Sequence, residues 1–105
     1  MDVTDNNFNE DVIEKSKELP VVVDFWAEWC HPCKMLGPVL EKLESEYDGD
    51  FILVKINVEQ APESSGKYSV TSIPAVKMFK NGEIIDEFTG SLPEASVKAW
   101  LDKNI

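Results

Sequence analysis

Cysteine is scarce in this chain. Only Cys30 and Cys33 are present in 105 residues. A disulfide-stapled secreted scaffold carries more. A bridge between these two closes so short a loop that it restricts the unfolded chain little. Histidine is scarcer, with His31 the single copy. Structural zinc takes four ligands, usually from two cysteine or histidine pairs. Cys30, His31 and Cys33 have no second pair to complete a site within the chain. A metal or cluster shared between two chains stays open as an alternative. Positive charge is also short: 10 Lys and Arg stand against 20 Asp and Glu, a net charge of −10. That field repels phosphate, which argues against nucleic-acid binding and attachment to anionic membranes. It serves solubility and leaves room for a basic partner. Apolar runs such as Val21-Val22-Val23 and Ile52-Leu53-Val54 are far too short to span a bilayer. The opening MDVTDNNFNE lacks the basic and apolar regions of a signal peptide. The expected location is cytoplasmic, although a mature secreted chain would have lost such a signal.

What is present fits one compact domain over residues 1–105. At this length one core can support folding without staples. Residues 6–18 place Phe8, Val12 and Ile13 at helical spacing, with Asn6 or Asn7 as cap. Residues 21–27, VVVDFWA, read as a central strand buried on both faces. From Pro32 to about Tyr47 the apolar positions are helical again. Pro38 cannot donate to the ladder, so Gly37-Pro38 predicts a kink. Residues 51–58 form a second strand and Ala61–Tyr68 a short helix with Pro62 in its first turn. Residues 75–80 and 83–89 flank Asn81-Gly82, a strong hairpin signal. Residues 93–104 make a last helix. The first strand-helix-strand unit is expected to be parallel with a right-handed crossover. The hairpin then adds an antiparallel pair. The result is an α/β fold: a mixed sheet with about four helices, in three layers.

The cysteines fall where the strand at 21–27 feeds the following helix. Cys30 lies near the helix N-terminus and Cys33 one turn on, facing the same side. This brings the sulfurs within disulfide reach. Free N–H groups at a helix N-terminus stabilise a thiolate, the attacking species in thiol chemistry. Cys30 gains most, and Cys33 is expected to be the more buried, resolving thiol. Pro32 fixes the first helical turn. Strand alternation puts Asp24 and Trp26 on one face, and Lys55 shares a face with Leu53 and Asn57. A carboxylate in such a strand is costly without a partner or a proton. If the strands are neighbours with matching faces, Asp24 and Lys55 lie close together. Their pairing can be an ordinary ion pair or part of an active site. Trp26, Met35 and Leu36 read as packing residues, and Gly82 as a turn residue.

The stretches VVVDFWAEWCHPCK (21–34), GPVLEKL (37–43), SIPAV (72–76), FKNGE (79–83) and FTGSL (88–92) together resemble thioredoxins along nearly the whole chain. The resemblance implies the thioredoxin fold and a protein disulfide reductase working by dithiol–disulfide exchange. It implies Cys30 as nucleophile, Cys33 as resolving thiol, and Asp24 with Lys55 as proton-handling support. It implies a cis Ile73–Pro74 bond facing the cysteines. Trp29, Ile73, Pro74 and Gly90 would form an apolar substrate surface. No cofactor or metal is implied beyond the redox-active disulfide. The expected partners are protein disulfides and a thioredoxin reductase, with the chain acting as a monomer. One position departs: thioredoxins usually carry Gly-Pro between the cysteines, and here it is His31-Pro32. A donor beside Cys30 stabilises its thiolate and makes the disulfide more oxidising. His31 therefore leaves open a disulfide oxidase or isomerase, or it points to solvent as a bystander. A binding subunit built on the same fold is the remaining alternative.

Overall fold

Strand β1 (Val21–Trp26) is apolar at every position but Asp24. Such a strand is stable only where both its faces are covered. In the computed structural model, which describes residues 1–105, β1 is an inner strand of a four-stranded sheet. Strand β2 (Ile52–Asn57) runs parallel to it, and β3 (Ala75–Lys80) antiparallel on its other side. Strand β4 (Glu83–Thr89) pairs antiparallel with β3, giving the order β2-β1-β3-β4.

Alternation sorts the core into two layers. Val22, Leu53, Val76 and Met78 pack against Leu36, Leu40 and Leu43 of helix α1 (His31–Tyr47) and Val97, Trp100 and Leu101 of α3 (Glu94–Asn104). On the other face Val21, Val23, Phe25, Ile56 and Phe79 meet Phe8, Val12 and Ala61. Phe8, Tyr68 and Phe79 meet there in one tilted and two edge-to-face contacts, with centroids 5.3 to 5.9 Å apart. This layer is closed by the N-terminal helical segment and α2 (Pro62–Lys67). The three expected layers are therefore in place. Helix α1 runs through Pro38, so the missing hydrogen bond is absorbed locally.

The first helical segment is not an α-helix. It is a π-type stretch, Asn9–Glu14, followed by a 3₁₀ turn, Lys15–Lys17. Local side chains account for the difference. Asn7 Oδ1 accepts from the Thr4 backbone N–H at 2.8 Å, so it is not free to cap the helix. At the other end Ser16 Oγ donates to the Ile13 carbonyl at 2.6 Å, tightening the turn. Ser16 also clasps the hairpin. Its Oγ accepts from Gly82 N–H and its carbonyl from Asn81 N–H, both at 2.8 Å.

Asn81 and Gly82 both have positive φ, as a two-residue primed turn requires. The register slips after it: Phe79 faces Ile84, but Met78 faces Asp86. Ile85 is the extra residue of a β-bulge. Ile84 thus packs in one layer and Phe88 in the other. Two long-range ties complete the frame. Residues Met1–Val3 bond to both backbone groups of Lys55, covering the free edge of β2. Asp5 accepts from the Glu63 and Ser64 N–H groups, capping α2 where Ala61 has no side-chain acceptor.

Replacing Ser16 by Ala leaves the Gly82 N–H without its partner in a part-buried site. The expected loss is about 1–2 kcal/mol, read from the denaturant midpoint at constant m-value.

Candidate active site

Cys30 is the residue just before the first turn of α1, in extended conformation, with Pro32 in that turn. Its sulfur fills the place a capping oxygen usually takes: Sγ accepts from the Cys33 N–H at 3.2 Å. The two cysteines are joined in a disulfide, with Cα atoms 5.3 Å apart. Exposure does not separate them, at 4% for Cys30 and 3% for Cys33. Position does. Cys30 Sγ faces the free N–H groups of the helix, where negative charge is favoured. Cys33 lines a groove with Trp26, Gly37, Pro38, Glu41 and Lys55.

Ile73 packs against the cysteine pair and Ala27. The Ile73–Pro74 peptide is cis, as the resemblance implied. Gly90, at positive φ, donates its N–H to the Pro74 carbonyl at 2.8 Å; Pro74 is buried, between half-buried Ile73 and Gly90. The backbone groups of Thr71, Ser72 and Ile73 make no hydrogen bond within the chain. Trp29 is 68% exposed beside the cysteines. His31 is exposed at the first position of α1. Trp26 departs from the core role expected for it. It is half-buried against the cysteine cluster, with the Lys55 ammonium 5.4 Å from its ring centroid.

Asp24 is 1% exposed, and neither carboxyl oxygen has a hydrogen-bond partner. Asp24 and Lys55 are register partners across β1 and β2, as their shared face suggested. They do not form the ion pair weighed for them. Lys55 Nζ instead pairs with Glu41 Oε1 of α1 at 3.3 Å. It rests against Gly37, where a Cβ would come within 3.3 Å of it. Burial pushes the Asp24 carboxyl up from the ordinary 3.8 to about 7. The Lys55 charge opposes this rise and the Glu41 charge adds to it. The site thus holds a carboxyl able to exchange a proton near neutral pH. Glu41, Gly37 and Trp26 were not singled out from sequence as site residues. The one sequence signal for Glu41 is its helical spacing from Cys33 and Gly37 on the same helix. No group of three or more His, Cys, Asp and Glu side chains is placed to hold a metal.

A family model described as thioredoxin matches residues 1–103. The chain belongs to the thioredoxin family. It is 44% identical over 105 residues to a protein named thioredoxin C-2 from Corynebacterium nephridii, covering all of this chain and 95% of that one. It is 40% identical to a thioredoxin of Chlorobaculum thiosulfatiphilum over 99% of this chain and 94% of the relative. A Rickettsia bellii thioredoxin is 43% identical over 98% and 96%. Membership and the joined pair together identify a thiol–disulfide oxidoreductase that works by dithiol–disulfide exchange through Cys30 and Cys33.

The Asp24 shift fixes a sign for stability. A carboxyl whose pKa is raised on folding stabilises fully below pH 4, and that contribution is lost as pH rises through about 7. The rise corresponds to on the order of 4 kcal/mol. Asp24→Asn should therefore gain stability at pH 8 relative to pH 5 when compared with the parent. Denaturant midpoints at the two pH values measure the difference.

Proposed function

We propose that Cys30 attacks protein disulfides and that Cys33 resolves the resulting intermediate. The supporting observation is the Cys33 N–H aimed at Cys30 Sγ at the start of α1. Cys30 thiolate attacks one substrate sulfur, forms a mixed disulfide and expels the other sulfur as a thiolate. Cys33 gives its proton to Asp24 through an intervening water and attacks Cys30 Sγ. The second substrate thiolate leaves, and the Cys30–Cys33 bridge remains. The substrate disulfide has gained two electrons, both from the cysteine pair. Lys55, beside Asp24 in register, steadies the carboxylate form of the base. A separate reductase, by family a thioredoxin reductase, then returns two electrons and two protons. No cofactor beyond the disulfide takes part.

Trp29, Ile73 and Gly90 are the accessible part of the substrate surface in this reading, with Pro74 buried beside them and shaping the backbone. The unbonded backbone at residues 71–73 lets an extended substrate segment pair beside the cysteines. The apolar side chains add contact area without sequence readout. The chain acts as one domain and as a monomer in the cytoplasm, with neither nucleic acid nor membrane as partner. No helix is long and apolar enough to cross a membrane. His31 is exposed at the first position of α1, and family membership favours a reductase over an oxidase or isomerase.

Two measurements test this. In single-turnover reduction of a protein disulfide, Cys30→Ser should abolish reaction, while Cys33→Ser should accumulate a mixed disulfide. The opposite pattern reverses the assignment. Equilibration with glutathione should place the potential below about −250 mV, near the family's characteristic value of about −270 mV. A value above about −200 mV would instead make the protein an oxidant, with Pro32 and His31 as the residues to test for tuning.

A further inference from the structure

Lys55 has two acids within its range and pairs with one. Its ammonium meets Glu41 at 3.3 Å on the groove side, while Asp24, its register partner, keeps both oxygens unpaired. An isolated pair of this kind would ordinarily favour the buried acid, where the attraction is least screened. Three features turn Lys55 outward. Glu41 supplies an accepting oxygen, the Trp26 ring lies 5.4 Å from the ammonium, and Gly37 leaves room for it against α1. We propose that Glu41 is a positioning residue that controls the protonation of Asp24 by holding the Lys55 ammonium away from it.

The surroundings of Asp24 leave few competitors. From β2 the charged group on its side is Lys55, and from α1 it is Glu41 beside the bridged Cys33. Lys34 of α1 points to Glu28 at 3.7 Å. From β3 the neighbour is Val76, while Lys77 alternates to the opposite face and pairs with Glu87. From α3 come Val97, Trp100 and Leu101. Removing the Glu41 charge frees Lys55 to swing inward. A cation that reaches Asp24 favours its carboxylate and weakens it as a base. The consequence for catalysis rests on the reading of Asp24 as proton acceptor given above.

The test titrates the Asp24 carboxyl by ¹³C NMR in the oxidised full chain. It compares the parent, Glu41→Gln, Lys55→Met and the double variant. Glu41→Gln should lower the midpoint by at least about half a pH unit. The same change in the Lys55→Met background should have a clearly smaller effect. An unchanged or raised midpoint overturns the proposal. An equal shift with and without Lys55 also overturns it, since Glu41 would then act by its own field alone. Glu41 is exposed, so these variants should fold. The pH profile of Cys33 attack on a trapped mixed disulfide separates the two readings. If the Asp24 midpoint moves and this profile does not, Glu41 control stands and the base role of Asp24 falls.

Discussion

Everything in the site depends on burying a carboxyl in the middle of a sheet covered on both faces. Asp24 lies between Val23 and Phe25, which face one apolar layer, while it faces the other with Val22. Such a placement costs stability unless the group is neutral. The chain tolerates it because β1 is flanked by β2 and β3, and α1 and α3 seal the face. The cost is retained as chemistry. A carboxyl that releases its proton near pH 7 can trade protons with a thiol, where an ordinary surface aspartate cannot.

The cysteines solve the complementary problem. A thiolate needs stabilising without being neutralised, and the open N–H groups of α1 do this with no counter-ion. The parallel step from β1 into α1 delivers both halves together. One strand carries the acid, and the helix that follows carries the sulfurs. β2 then contributes Lys55 from its place beside β1. Three consecutive elements therefore carry acid, thiols and cation.

Features written in local chemistry were legible in the sequence. The Asn81-Gly82 turn, the double-sided burial of β1, the helix start at the cysteines and the shared face of Asp24 and Lys55 all follow from residue type and period. Features set by competition between distant groups were not. The Ile85 bulge resets alternation inside a strand whose pattern reads as regular. Lys77 looks like a solvent-facing charge, yet it is 6% exposed and paired with Glu87 across the β3–β4 ladder. Ser16 is an unremarkable serine until Gly82, 66 residues on, is found bonded to it. The choice of Glu41 over Asp24 by Lys55 depends on side-chain reach across three elements, which no periodicity records.

The cap on α2 carries a consequence for how the chain assembles. Its two acceptors belong to Asp5, 58 and 59 residues upstream of the N–H groups they satisfy. A six-residue helix holding Ser64, Ser65 and Gly66 has little intrinsic tendency to form. It therefore completes its first turn only when the opening segment has docked across the sheet. The segment around Asp5 and α2 are thus one cooperative unit: loosening the first strips the second of its cap.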